Sequence, residues 1–473
     1  MYIDGKWTDA VAGDVFAVTN PSTGETLDTV PRGQAEDADR AVQAAQTALP
    51  GWRDTDPTKR AACVRELASR MRAGRAALAE TLSSELGRPL AGCLREVDRG
   101  ADLLDYYAET GEALFRAWEP DPSDTAYVIR EPVGVVVAIP SFNYPIALIT
   151  AKLGAALVAG CTVVAKPAED TPLSTLALAG MAADAGMPKG VFNVVTGFGA
   201  EIGAALVEHP VPAKIAFTGG TAAGTHIARE AVSRMKRMTM ELGGQSPAVV
   251  CADADIDKAV KAIVRHGFAN SGQFCYRVGR VLVADEIADA VEAGLAEETR
   301  KLKVGPAQDQ TADLGPLIGE RILATAERHV ADARDKGARV LTGGARLRGG
   351  IFDKGFYYPP TLIADCTTDM RLMKEEAFSP VLALTRYRTE AEALELANGT
   401  DYGLAAFVFT ADPQRARRFV RGIESGSVWV NDIQRSQHDM PFGGVKMSGF
   451  GREKSTWGIE SYIEPKTVYW PEQ

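Results

Sequence analysis

Forming a thioester and then hydrolysing it takes two side chains. A thiol attacks an electrophilic carbon, and a carboxylate takes a proton from water. The sequence offers such a pair. Glu241 stands in Thr239-Met240-Glu241-Leu242-Gly243-Gly244-Gln245-Ser246-Pro247, and Cys275 follows thirty-four positions later, closing Ser271-Gly272-Gln273-Phe274-Cys275. Each motif also has a plainer reading. A glutamate before paired glycines can be a strand end running into a turn, and a single cysteine can be packing. The pair gains weight from other polar residues that fall where strands end.

Those strand ends lie in the middle of the chain. Val133 to Ile139 reads as a continuous apolar strand, followed by the loop Pro140-Ser141-Phe142-Asn143-Tyr144-Pro145 and an apolar helix to about Ala159. Thr162-Val163-Val164-Ala165 is the next strand and ends at Lys166-Pro167-Ala168-Glu169. Further strands are read at Val191–Val195 and Lys214–Phe217, with helices between. Such runs predict a parallel sheet covered on both faces, with ligands beyond the carboxyl ends of its strands. Asn143, Lys166, Glu169 and Thr218-Gly219-Gly220 fall at those ends. After Gly244 a second strand–helix series begins, through Ala248-Val249-Val250 and Val281-Leu282-Val283. The N-terminal part reads as short strands, then helices from Glu36 to Leu86 and from about Arg95 to Phe115. Segment 115–131 reads as an excursion, a hairpin used in assembly. The apolar tail from Thr467 reads as a strand pairing either with another subunit or within its own chain.

Bulk properties narrow the classes. The chain of 473 residues calls for at least two domains, and its net charge of −10 argues against a nucleic-acid partner. Six cysteines without paired spacing and five histidines without ligand spacing suggest neither a disulfide framework nor a metal site. Met1 to Trp7 lacks an apolar signal core, and no apolar run is long enough to span a bilayer, so a reducing cytoplasmic location is expected. A free catalytic thiol would survive there and should alkylate fast near neutral pH if activated.

Two glycine-rich stretches invite a nucleotide reading. Gly197-Phe198-Gly199-Ala200-Glu201-Ile202-Gly203 misses the dinucleotide fingerprint because its third glycine is one place late, and a turn before a helix is the better account. Phe217-Thr218-Gly219-Gly220-Thr221-Ala222-Ala223-Gly224 follows a strand and opens a helix, whose free N–H groups suit a pyrophosphate.

Taken in order, these motifs resemble those of the aldehyde dehydrogenase superfamily. The match runs from Asn20-Pro21 to Lys466-Thr467-Val468 and includes Glu375-Glu376-Ala377-Phe378-Ser379-Pro380 and Pro441-Phe442-Gly443-Gly444-Val445-Lys446. The resemblance implies an α/β fold of two Rossmann-like domains with parallel sheets, plus a small β oligomerisation element. Residues 1–114 and 132–242 would bind NAD(P), 243–444 would form the catalytic domain, and 115–131 with 458–473 would assemble a homodimer or homotetramer. It implies Cys275 as nucleophile, Asn143 and the Cys275 backbone N–H as oxyanion hole, Glu241 as base for the hydrolytic water, and Lys152 in proton relay. Lys166 and Glu169 would hold the adenosine ribose, with Ser141, Gly219, Gly220, Thr221, Gly224 and Leu242 also against the cofactor. Glu376 would take the nicotinamide ribose, and Phe378 would pack near the ring. Glu241 favours release of a free acid over transfer to coenzyme A. Glu169 favours NAD over NADP, since a carboxylate repels a 2′-phosphate.

The chain departs from the family pattern beside the nucleophile, where Tyr276-Arg277-Val278-Gly279 replace the usual small residues. Phe-Thr-Gly-Ser is here Phe-Thr-Gly-Gly, and Phe-Gly-Pro is Phe378-Ser379-Pro380. Arg277, with Arg435 in the loop before Pro441, forms a pair able to hold a carboxylate or phosphate, which points to a semialdehyde or phosphorylated aldehyde. Arg277 can equally point away into an ion pair. Tyr144, Leu148, Tyr276 and Phe442 could instead line an apolar or aromatic pocket. A structural or binding protein that kept the fold and lost catalysis is the competing class, and the presence of Cys275, Glu241 and Asn143 counts against it.

Overall fold

A computed structural model describes residues 1–118, 121, 125–433 and 437–471. Its first sheet is built from strands that read Val135-Val136-Val137-Ala138-Ile139 and Thr162-Val163-Val164-Ala165, buried at every position and apolar at all but Thr162, whose hydroxyl donates to the Ala45 carbonyl at 3.0 Å. Continuous apolarity means both faces are covered. Val135, Val137 and Ile139 pack with Ala38, Ala41 and Ala45 of helix Ala35–Arg53. Val136 and Ala138 pack on the other side with Leu104 and Leu153, from helices Leu90–Ala117 and Pro145–Ala159.

Across this sheet the parallel strands lie in the order Phe192–Val194, Thr162–Ala165, Val135–Ile139, Lys214–Thr218 and Arg237–Glu241. The chain lays strands outward from Val135–Ile139 to one side, then crosses to the other. The reversal opens a crevice between Val135–Ile139 and Lys214–Thr218, where loops from neighbouring strands diverge. At the far edge Gly449–Phe450 adds antiparallel to Arg237–Glu241, pairing Glu241 with Gly449.

The second sheet runs Arg339–Thr342, Thr361–Ala364, Val381–Tyr387, Val278–Ala284, Ser246–Val250, Ala405–Phe409 and Ser427–Val430, parallel except for the first. Its strand Ser246–Val250 begins five residues after the first sheet's Arg237–Glu241 ends. The carboxyl ends of one sheet therefore face the amino ends of the other.

Segment 115–131 does not form a hairpin among the described residues. Phe115 belongs to helix Leu90–Ala117, and the strand Ala126–Pro132 pairs antiparallel with Ile463–Tyr469 over seven residues. The C-terminal strand thus closes on its own chain. Among the described residues no helix is long and apolar enough to cross a membrane.

Candidate active site

Cys275 sits at the end of a forced turn. Asn270, Ser271 and Gly272 all adopt positive φ, at 50°, 55° and 73°. Left-handed backbone at two non-glycine residues is strained and persists only where surrounding contacts hold it. Here Ser271 Oγ donates to the Gly315 carbonyl at 2.8 Å, and Asn270 Nδ2 donates to the carbonyls of Asn143 and Gln273, both at 3.1 Å. A Cβ at Gly272 would collide with the Ser379 carbonyl, so only glycine fits. The turn leaves Cys275 half-buried on a cavity of about 360 Å³, with the backbone N–H groups of Cys275 and Tyr276 against its own Sγ.

Asn143 lines the same cavity, and its Nδ2 donates to Gln273 O at 3.0 Å, two residues before Cys275 in the chain. The helix that follows Asn143 is capped from a distance: Glu96 Oε1 accepts from Ile146 N at 2.9 Å and Ala147 N at 3.0 Å. Buried Glu96 is itself paired with Arg88, whose guanidinium lies 4.5 Å over the Tyr144 ring. The loop bearing Asn143 is fixed at both ends.

Glu241 closes the strand Arg237–Glu241 and is buried, yet neither carboxyl oxygen has a hydrogen-bond partner among the described residues. Burial first, and the nearby Glu453 charge second, raise its pKa well above the ordinary 4.5. A Cβ at Gly443 would stand 2.6 Å from Glu241 Oε1, so the Phe442-Gly443-Gly444 turn must be bare there. Burial, then the charges of Glu241 and Glu376, likewise hold the Cys275 thiol above its ordinary range. The resting nucleophile is therefore a thiol, and its proton must leave as it attacks.

Lys152 lies behind Glu241, fully buried, with Nζ 2.6 Å from Thr218 Oγ1 and 2.6 Å from Glu453 Oε1. Its charge favours ionised Glu241 and offsets part of the burial effect. Glu453 and Thr218 both line the cavity; Thr218 belongs to the strand-end motif read from the sequence, whereas Glu453 was not singled out. Glu453 lies 301 residues from Lys152, so no local spacing announces the pair.

Beside the thiol the cavity continues between Ser141, Gly219, Gly220, Leu242, Glu376 and Phe378. This half fits a dinucleotide. Helix Thr221–Val232 has no side-chain cap, so its first N–H groups are free for a ligand phosphate. Nothing lies within 4 Å of a Cβ placed at Gly220, while one at Gly224 would collide with Leu242. The glycines thus expose backbone at one point and allow close helix packing at the other. Glu376 Oε1 accepts from Gly244 N at 2.9 Å, and burial pushes its carboxyl up to about 7. The Phe378 ring stands edge-on to Phe142 at 5.7 Å. Lys166 Nζ, nearly buried, reaches Glu169 Oε2 at 3.2 Å, and burial lowers its pKa. Lys166, Glu169, Thr221 and Gly224 lie outside the wall of the cavity itself.

On the substrate side Tyr144, Leu148, Tyr276 and Phe442 all line the cavity. Tyr276 joins an aromatic wall, 5.1 Å from Phe274 and 5.3 Å from Phe442 between ring centroids. Arg277 is a correction. It is buried behind the wall, where it donates to the carbonyls of Val278 at 2.9 Å and Val381 at 2.8 Å. Side chains alternate along an extended segment, so a residue between inward Tyr276 and strand Val278–Ala284 turns to the sheet. Arg277 meets neither the cavity nor a surface carboxylate. Arg435 lies outside the described residues. Sequence reasoning also missed Arg99, His438 and Lys454, which the cavity wall includes.

Comparison with known proteins matches this geometry. The model of the aldehyde dehydrogenase family matches residues 7–468. The chain is 40% identical over 467 residues to succinate-semialdehyde dehydrogenase [NADP(+)] of Escherichia coli K12, covering 98% of this chain and 96% of that protein. It is 39% identical over 469 residues to 3-sulfolactaldehyde dehydrogenase of Pseudomonas putida, covering 99% and 96%. Among solved structures, betaine aldehyde dehydrogenase of Staphylococcus aureus in complex with NAD+ superposes with a TM-score of 0.95 at 32% identity, covering 100% of this chain and 95% of that one.

Proposed function

The chain belongs to the aldehyde dehydrogenase family and oxidises aldehydes with NAD or NADP; from that premise we propose that its substrates are short aldehydes with an acid group at the far end. The observation that carries the chemistry is the meeting of Cys275, Asn143 and Glu241 on one cavity that continues into the dinucleotide cradle. In this reading Cys275 Sγ adds to the carbonyl carbon, and its proton passes to solvent as the bond forms. The carbonyl oxygen gathers charge between the Asn143 amide and the Cys275 N–H. A bound nicotinamide would supply the acceptor for the hydride that the adduct loses, leaving a thioester on Cys275. Glu241 then takes a proton from the water that attacks the thioester, the acid departs, and the thiol is restored. Lys152 favours the charged state of Glu241, while burial and Glu453 oppose it.

Relatives support the acidic substrate. Succinate semialdehyde and 3-sulfolactaldehyde each bear an acid group away from the aldehyde, whereas betaine aldehyde bears a cation, so the fold alone leaves the far end's charge open. The same reading takes residues 1–114 and 132–242 as the cofactor domain and 243–444 as the catalytic domain. It also takes NAD as the preferred cofactor on the strength of Glu169, a cytoplasmic location, and a homo-oligomer built through the β ribbon. The test is formation of reduced cofactor from succinate semialdehyde, butanal, benzaldehyde and betaine aldehyde, each with NAD and with NADP, against Cys275→Ala. Highest kcat/KM on the acidic member with NAD is expected. Better turnover of butanal or betaine aldehyde would overturn the acidic reading, and turnover by Cys275→Ala would overturn the nucleophile.

A further inference from the structure

With Arg277 turned into the sheet, the charge complement of an acidic aldehyde must come from elsewhere in the cavity wall. Three described cations line it: Arg321, whose charge reaches Asp170 beside Glu169, and two that gather around Tyr276 and Phe442. Arg99 comes from helix Leu90–Ala117, and Lys454 from the turn that follows Glu453. They belong to one group of side chains. Arg99 hydrogen-bonds to the Tyr276 hydroxyl, and Lys454 Nζ lies 5.2 Å from the centroid of Phe442. Tyr276 and Phe442 in turn touch each other, with Cys275 next to Tyr276 in the chain. A substrate whose carbonyl sits at Cys275 would cross this aromatic pair before reaching the cations.

The backbone at Lys454 is unusual. Its φ is +63° and that of Ser455 is +53°, a left-handed pair in which neither residue is glycine. The Lys454 N–H donates to the Tyr107 hydroxyl at 3.0 Å, which pins the residue in this conformation. Lysine gains nothing locally from left-handed backbone, where glycine would be relaxed. Its side chain is the feature that the strain preserves, and that side chain faces the cavity.

We propose that Lys454 and Arg99 together bind the distal anion of the substrate, a carboxylate or a sulfonate, and so select acidic aldehydes. This rests on the acidic-substrate reading above. A guanidinium and an ammonium arriving from different elements hold one anion from two directions, with its apolar stem against Tyr276 and Phe442. Burial first, and the neighbouring Arg99 charge second, lower the Lys454 pKa to about 8, while Glu453, Cys275 and Glu241 oppose that shift. An anion arriving beside both cations relieves their repulsion. His438, also on the wall, is held below its ordinary range chiefly by burial, with Lys454 and Arg99 adding to the effect, and so is neutral at the working pH.

The experiment compares kcat and KM for succinate semialdehyde and for butanal in the whole enzyme and in Lys454→Met, Arg99→Met, Lys454→Arg and Lys454→Gly. Loss of one charge-assisted contact predicts that the acidic-to-neutral ratio of kcat/KM falls about tenfold to a hundredfold in either Met variant, through KM. Lys454→Arg should retain most of the ratio. Lys454→Gly, which relaxes the backbone, should lose it as Lys454→Met does. In the native enzyme KM for the acidic substrate should climb above about pH 8, as Lys454 loses its charge, and Lys454→Arg should flatten that rise. A native enzyme that prefers butanal overturns the acidic reading and this proposal together. One that prefers succinate semialdehyde, with a ratio unmoved in both Met variants, overturns this proposal alone.

Discussion

At the scale of single residues, the site is a set of groups held away from their ordinary charge states. Glu241 is the clearest case. Its folded pKa stands well above the ordinary 4.5, so between those two values the folded chain holds a proton that the unfolded chain has released. Stability therefore falls as pH rises through that window, which is the sign expected for a raised carboxyl. Glu241→Gln should melt higher than the native enzyme, by a margin that grows from about pH 4.5 upward. The same variant should still release one equivalent of reduced cofactor in a rapid burst and then stall, with steady-state turnover down about 10²–10⁴-fold. Rapid-mixing kinetics beside calorimetry checks both halves. A missing burst would place Glu241 in the first chemical step instead. A melting margin that shrinks with pH would contradict the raised carboxyl. Arg277 teaches the opposite lesson at this scale. Its type suggested an anion ligand, but a guanidinium has five donors and can serve as a hub for buried carbonyls. Residue type alone does not separate those uses.

Among elements, the turns determine catalysis. The strands from Val135–Ile139 to Lys214–Thr218, and Ser246–Val250 with Val278–Ala284, were legible because a strand buried on both faces is written largely in Val, Ile and Ala, whereas Arg237–Glu241 and the rest of the second sheet were not read as strands. The ligand residues after Ile139, Ala165 and Thr218 followed from the rule for parallel strand ends. The contribution of the second sheet's amino ends did not, because it depends on how two sheets meet and leaves no local pattern. The Lys152–Glu453 pair was hidden for the same reason. Gly443 shows how finely such turns are set. Its φ is unexceptional, so alanine is penalised there by crowding Glu241, the Arg452 side chain and the Gly451 carbonyl, which stands 2.7 Å from the would-be Cβ. A displacement of about 1 Å is enough to cost about 10²-fold in rate. Gly443→Ala should show that loss in thioester hydrolysis, with the burst of reduced cofactor retained. An equal loss in the burst would mean that the turn positions Cys275 rather than Glu241.

For the whole molecule, the ribbon of Ala126–Pro132 and Ile463–Tyr469 stands out. Two strands alone are marginally stable in water and leave both outer edges unpaired. Nearby, Trp457, Tyr469 and Trp470 are more than half exposed, at 62%, 79% and 58%. On the homo-oligomer reading proposed above, such a surface would take a second copy of the chain. Removing residues 463–473 should reduce the mass measured by light scattering to that of one subunit, while the two large sheets keep their far-ultraviolet signature. An unchanged mass would move assembly to another face.

The return of the chain to its first sheet has a consequence for synthesis. Gly449–Phe450 lies on Met240–Glu241, and Glu453 neutralises Lys152, so the groups that tune the base are translated about two hundred residues after it. A growing chain on the ribosome carries Glu241 long before it carries the segment that pairs with its strand and the carboxylate that tunes its surroundings. The base is made early and tuned late, so hydrolysis of a thioester waits for the end of the chain.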